Sequence, residues 1–239
     1  MTDYPIMKSA ILEGIGSFAL VLFGTITEEL PKDPLKADQV VQQYALIIFF
    51  ITMVMMWISV KISGSQFNPT LSLGLMLVGQ LSMTNFLFNV LFQAIGGAIG
   101  YLLLMAIADV NVVYTHYTNN YIFVMVLEFI IAFFLCLVYF FTFVDKNASR
   151  AIYGFAVPAT YAFLILCLAK YHYSAFNYVM LVIPAILKTN FDANLLWVGI
   201  GSASGCLVAS LLFRFLFEKD AEKHHAHAFM VNDDPDIRF

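Results

Sequence analysis

A long uncharged run limits most strongly what this chain can fold into: residues 62–108 contain no Asp, Glu, Lys or Arg. A helix needs about 20 apolar residues to cross the hydrocarbon core of a bilayer, so this run must fold back on itself. The whole chain has the same character, because 61% of its residues are hydrophobic and 12% are charged, against about 25% charged in a soluble domain. We therefore expect a membrane protein.

Six apolar stretches have the length needed to cross a membrane, and two more have about half that length. We expect helices because lipid cannot satisfy exposed backbone groups. The spans are predicted at 8–27, 44–62, 85–108, 121–144, 151–170 and 195–217, and the half-spans at 69–79 and 178–187. Each half of the chain thus reads span, span, half-span, span.

This order predicts an all-α fold of six transmembrane helices and two re-entrant half-helices in an inverted tandem repeat. Inversion follows because each repeat holds three spans, an odd number. The predicted domain is a single transmembrane channel domain, 1–217, with repeat one at about 8–108 and repeat two at about 121–217. Residues 218–239 form a charged cytoplasmic tail, for which we expect poor order.

The sequence Ser-x-Phe-Asn occurs just before each half-span, at 65–68 and again at 174–177. Asn68 is a good N-cap, and Pro69 suits the first turn of a helix, where its missing N–H costs nothing. Two half-helices in corresponding positions typically point their N-termini at a shared site near the midplane. The repeated motif therefore predicts a permeation pathway, with the Asn side chains as hydrogen-bond donors.

Lys and Arg residues at the ends of the spans and in the loops and tails predict the orientation. With both termini in the cytoplasm, eight lie inside and four outside, which favours this arrangement. The inner set is Lys8, Lys61, Lys146, Arg150, Arg214, Lys219, Lys223 and Arg238, and the outer set is Lys32, Lys36, Lys170 and Lys188. No basic stripe favours nucleic acid as a partner. No nucleophile–base pair, phosphate loop or metal-ligand spacing indicates an enzyme, a metal site or a cofactor.

The segment from Ser63 to Leu75 resembles the first pore loop of the aquaporin (major intrinsic protein) family, whose signature is S-G-x-x-x-N-P-A-V-T-x-G. Glu13-Gly-Ile-Gly-Ser in the first span is similar to the family's E-x-x-G-T. The third span, from Gln93, matches A-Q-x-x-G-A in part, and Glu128 falls where the family keeps a second buried glutamate. The resemblance implies that Asn68 and Asn177 meet at the pore centre and donate hydrogen bonds to permeating molecules. It also implies a homotetramer with a pore in each monomer.

The second motif departs furthest from the family. The first copy reads Asn68, Pro69, Thr70, with Thr in place of Ala, whereas the second reads Asn177, Tyr178, Val179, so that the asparagine alone matches. Tyrosine has neither the fixed φ nor the compactness of proline. The second half-helix can therefore start later or differently.

Counting along the resemblance locates an outer constriction formed by Ile48, Ile165, Ser174 and Met180. The family's water-selective members carry Phe, His, Cys and Arg there. This ring is expected to be wider and less polar, so that desolvation of a polar solute goes largely uncompensated. An apolar ring can also gate by dewetting.

Two buried carboxylates and two glycine pairs complete the pattern. Glu13 and Glu128 lie well inside spans; a proton relay is conceivable, but the resemblance favours acceptance of backbone hydrogen bonds from the re-entrant loops. Gly96-x-x-x-Gly100 and Gly201-x-x-x-Gly205 are typical of closely packed membrane helices.

We expect a passive channel for small uncharged solutes such as glycerol, urea or ammonia, with or without water, in a lipid bilayer. Two alternatives stay open. A non-conducting adhesion or scaffolding protein with the same fold would explain the degenerate second motif. A weak ion channel would follow from the missing arginine, since a fixed positive charge normally helps to exclude cations.

Overall fold

The computed structural model describes residues 6–25, 34–107, 120–145, 150–169, 171, 177–189 and 193–232. Helices account for most of these residues. They are α1 (Ile6–Gly24), α2 (Pro34–Ser59), α3 (Pro69–Leu77), α4 (Met83–Ile107), α5 (Tyr121–Tyr139, continued by a π-helical turn at Phe140–Val144), α6 (Arg150–Leu168), α7 (Tyr178–Leu187) and α8 (Asn194–Asn232). The predicted all-α fold is confirmed.

Five helices in the described ranges are long and apolar enough to cross a membrane: α1, α2, α4, α5 with its π-helical turn, and the Asn194–Leu216 part of α8. The predicted fifth span forms α6, whose apolar part, Ile152–Leu168, is shorter than these five. The predicted half-spans form α3 and α7, both of which begin at the predicted residue.

Two helices, α2 and α8, extend beyond the spans predicted for them. The predicted second span began at residue 44, but α2 begins at Pro34, because proline suits the first turn of a helix and the polar residues that follow it still form helix outside the apolar segment. The predicted sixth span, 195–217, corresponds to the apolar part of α8, Asn194–Leu216, and the helix continues beyond it to Asn232. The residues from Glu218 to His227 are mostly good helix formers, so the helix has no local reason to stop at the last apolar residue.

The helix packing repeats between the two halves of the chain. The most extensive contacts are between α1 and α4 in the first half and between α5 and α8 in the second. Across the halves, α2 packs against α6, α3 against α8, and α4 against α7. Exchanging the halves maps this set of pairs onto itself, as an inverted repeat requires.

The glycine pairs permit the two closest helix contacts. A Cβ added at Gly96 would lie 1.9 Å from the carbonyl oxygen of Gly14 in α1, and one at Gly100 would lie 2.6 Å from that of Phe18. In the second half, Cβ atoms at Gly201 and Gly205 would lie 2.4 and 2.2 Å from carbonyl oxygens of α5. Larger side chains at these positions would separate the backbones.

Candidate functional site

Asn68 and Asn177 cap the two half-helices in nearly the same way. Asn68 has φ −147° and ψ 122°, and its Oδ1 accepts a hydrogen bond from the Thr70 N–H at 3.0 Å. Asn177 has φ −150° and ψ 118°, and its Oδ1 accepts from the Val179 N–H at 3.1 Å. Each cap thus satisfies one of the N–H groups that a helix start leaves open.

The second half-helix begins at Tyr178 although that residue is not proline. The backbone therefore starts neither later nor differently than at Pro69, because the asparagine cap fixes the start. The Tyr178 ring lies against Gly199 of α8, where an added Cβ would be 3.1 Å from the phenol oxygen, and its hydroxyl donates to the Leu195 carbonyl at 3.2 Å. Packing against α8 thus holds Tyr178, whereas at Pro69 the ring of the proline itself fixes φ.

The two capped ends meet. The Asn177 Nδ2 donates to the carbonyl oxygen of Phe67, the residue before Asn68, at 2.7 Å, and α3 contacts α7. The positive ends of both helix dipoles therefore converge on one region. A cavity of about 10 Å³ lies beside the asparagines, close to the volume that one ordered water needs. Its polar lining consists of Asn68, Thr70, Glu128, Asn177, Tyr178 and Ser202.

Glu13 of α1 holds the first re-entrant loop. Its Oε1 accepts from the Gln66 N–H at 2.9 Å, and its Oε2 accepts from the Phe67 N–H at 2.6 Å. The Gln93 side chain of α4 also donates to Oε2 at 2.9 Å. Glu13 is fully buried, and a carboxylate with these donors supplies the acceptors that loop backbone requires inside a membrane.

The same loop has strained backbone. Gly64, Ser65 and Phe67 have positive φ values of 84°, 57° and 49°. Such conformations cost about 1–3 kcal/mol for residues other than glycine and persist when the surroundings fix them. The hydroxyls of Tyr139 in α5 and Tyr153 in α6 both donate to the Gly64 carbonyl at 2.6 Å, so these two helices also hold the turn.

Glu128 lies on α5 at the cavity that borders the asparagines. Its side chain is 3% exposed, and its Oε2 accepts from the Ser202 hydroxyl of α8 at 3.0 Å. Residues 172–176, the loop that it is expected to support, lie outside the described residues. Its predicted supporting role therefore stays a prediction.

The structure brings together two of the four residues of the predicted constriction. Ile48 of α2 and Met180 of α7 both lie at Gly24 of α1, where an added Cβ would be 2.9 Å from Ile48 Cδ1 and 2.6 Å from Met180 Cε. Ile165 of α6 is fully buried in the same apolar core. Ser174 lies outside the described residues.

Sequence reasoning missed Tyr161 of α6. The Asn68 Nδ2 donates to the Tyr161 hydroxyl oxygen at 2.9 Å, and both residues are buried. A signal for it existed: Tyr161 lies four residues before Ile165, which places both on one face of α6.

Comparison with known proteins decides the family, since the group described as "Major intrinsic protein" matches residues 1–213. The chain belongs to the major intrinsic protein family. Within this family, the "Probable aquaporin TIP2-1" of Oryza sativa subsp. japonica is 25% identical over 225 residues, which cover 90% of this chain and 88% of that protein. The aquaglyceroporin structure from Plasmodium falciparum is similar with a TM-score of 0.65 and 18% identity, covering 90% of this chain and 96% of that chain.

Membership confirms the resemblance seen in the sequence, and the aquaglyceroporin similarity supports the aquaporin fold. This major intrinsic protein is an integral multi-pass membrane protein. Its family consists of membrane channels for water and small solutes.

Proposed function

We propose that this chain conducts small uncharged solutes, such as glycerol, urea or ammonia, with or without water, through a pore in each monomer. The contact between the two capped half-helices carries the proposal. The Asn177 Nδ2 lies 2.7 Å from the carbonyl oxygen of Phe67, the residue before Asn68. Amide donors and two positive helix ends at one point favour a neutral solute that accepts hydrogen bonds and disfavour cations.

The residues around Gly24 support the choice of solute class. Ile48 and Met180 present a methyl and a thioether where the family's water-selective members have Phe and Arg. A ring without the arginine donors gives water less compensation for desolvation.

Swelling of proteoliposomes, followed by stopped-flow light scattering with glycerol, urea and water, tests the proposal. We expect faster equilibration than in empty vesicles for at least one solute. The test variant is Gly24→Leu, because its side chain would collide with Ile48 Cδ1 and Met180 Cε, and we expect it to lower the glycerol flux. Equal rates for the parent protein and empty vesicles with every solute would contradict the proposal.

A non-conducting scaffold is the second candidate, and one observation favours it. Both pore asparagines donate to protein acceptors, Asn68 to Tyr161 and Asn177 to Phe67. The double substitution Tyr178→Pro with Met180→Arg restores the family's residues. Transport in that variant alone would favour the scaffold, whereas transport in the parent chain would exclude it.

We also propose a homotetramer with both termini in the cytoplasm. Large apolar side chains cover the outer faces of the helices, for example Trp57, Ile107 and Ile122 at 65%, 68% and 68% exposure. Such faces fit lipid or neighbouring protomers. Native mass spectrometry should give a particle of four 26.9 kDa chains, and a monomer across detergents would contradict the assembly.

A further inference from the structure

Tyr161 lies where the two half-helices meet, although it belongs to neither of them. Its hydroxyl oxygen accepts a hydrogen bond from the Asn68 amide at 2.9 Å. The side chain is 4% exposed and that of Asn68 is 1% exposed, so the contact is sealed within the protein. A phenol ring of this size therefore occupies space next to the donor that a permeating molecule is expected to use.

The phenol oxygen accepts a hydrogen bond, as the oxygen of a permeating solute would. A water or an alcohol at the pore centre would accept the same hydrogen bond from Asn68. The Asn68 NH2 has two N–H groups, and a solute on the α6 side competes with Tyr161 for the one that the phenol occupies. Because an unpaired buried amide is costly, the amide keeps its tyrosine partner until a solute replaces it.

The position of Tyr161 on α6 places it in line with the predicted constriction. Tyr161 and Ile165 are one turn apart on the same helix face, and Ile165 is fully buried. The small cavity at the asparagines is lined by residues of α3, α5, α7 and α8, and Tyr161 is not among them. The open space thus lies beside the tyrosine contact and does not pass through it.

We propose that Tyr161 limits passage through the pore and sets its size selectivity, with its hydroxyl held on the Asn68 amide. This inference rests on the proposed function, since it assigns the rate-limiting residue of that pathway. A solute that passes Asn68 on the α6 side, and so outside the small cavity, has to displace the phenol. Glycerol needs more of the ring moved than water does, so the tyrosine discriminates against the larger solute.

Two substitutions separate the ring from the hydroxyl. Tyr161→Val removes the ring, and we expect glycerol permeability of proteoliposomes to rise by more than about tenfold, with a smaller rise for water. Tyr161→Phe keeps the ring but removes the oxygen that accepts from Asn68. The loss of one hydrogen bond corresponds to a rise of about fivefold.

Tyr101→Val is the matched control, because Tyr101 of α4 is a 1% exposed tyrosine whose hydroxyl has no hydrogen-bond partner among the described residues. It loses the same volume elsewhere in the protein, and its permeability should equal that of the parent. Thermal unfolding of all variants in detergent reports on folding, and Tyr161→Phe keeps the inference testable if the valine variant does not fold.

The outcomes separate this inference from the proposed function. If the parent conducts and both Tyr161 variants match it, Tyr161 does not limit passage and the inference is overturned, while the proposed function stands. If the parent equals empty vesicles and the variants conduct, Tyr161 closes the pore and the proposed function of the unmodified chain fails. A rise in Tyr161→Val with none in Tyr161→Phe overturns the role of the hydroxyl.

Discussion

Glu13 joins three parts of the structure through one side chain. Its two oxygens accept from two loop N–H groups and from Gln93 of α4. The loop it holds contains non-glycine residues with positive φ, at Ser65 and Phe67. Loss of a Glu13 oxygen as an acceptor should therefore destabilise this loop, because its strained backbone persists only when its surroundings hold it.

The substitution Glu13→Gln should lower the free energy of unfolding by about 1–3 kcal/mol, because the new NH2 faces a donor that then has no acceptor. Thermal unfolding in detergent measures the effect. Ser17→Ala is the control, since the Ser17 hydroxyl donates to the Phe67 carbonyl at a long 3.4 Å and its loss should change little. An unfolding temperature of Glu13→Gln equal to that of the parent would contradict this role.

Part of the site could be predicted at this scale and part could not. Asn68, Asn177 and Glu13 follow from motifs at fixed spacing, and Glu13 lies at the first re-entrant loop. Tyr161, Tyr139 and Tyr153 carry no motif, because their contacts depend on how α5 and α6 are rotated toward a loop more than 70 residues away. Helix rotation is set by packing that the sequence of one helix does not contain.

Among the elements, α8 shows how a single glycine determines a helix contact. A Cβ at Gly205 would lie 2.2 Å from the Phe129 carbonyl oxygen, which is backbone and cannot turn aside. At Gly199, six residues earlier on the same helix, the nearest atom is the Tyr178 hydroxyl at 3.1 Å, the far end of a side chain. The same methyl group thus meets two different environments.

Gly205→Ala should therefore destabilise the protein by about 1–3 kcal/mol, although alanine is the better helix former by about 1 kcal/mol. Gly199→Ala should be close to neutral or slightly stabilising. Unfolding temperatures of the two variants in detergent test this difference. A Gly205→Ala protein as stable as Gly199→Ala would mean that α5 and α8 do not pack as closely as described.

Helix bounds were predictable where composition changes sharply. The starts of α3 and α7 both follow their asparagine caps, although Tyr178 had led us to expect that α7 can start later or differently. The predicted start of the second span was wrong, because α2 includes the polar residues before residue 44. The predicted end of the sixth span agrees with the apolar part of α8, Asn194–Leu216, although the helix continues to Asn232. Hydropathy locates the part of a helix within the membrane, whereas helix propensity determines how far it extends beyond.

For the whole molecule, the inverted repeat was predicted from the count of spans, and the contacts of α1 with α4 and of α5 with α8 agree with it. The pairing of α2 with α6 across the halves was not foreseen, because the sequence pattern shows that two repeats exist but not which helices touch between them.

The proposed orientation gives a test on whole cells. An epitope tag at either terminus should bind antibody only after the membrane is made permeable. The reason is that segments rich in Lys and Arg stay on the cytoplasmic side of the membrane. A tag inserted between residues 109 and 119, in a predicted outer loop, is the positive control. Labelling of the C-terminal tag on intact cells would reverse the orientation.

The near-identical backbone angles at residues 68 and 177 have a consequence for how related chains are recognised. One asparagine precedes proline and the other tyrosine, yet both initiate their helices alike. The residue after the asparagine is therefore free to vary when a neighbouring helix braces it. A search that demands proline at both places would pass over proteins whose architecture is otherwise intact.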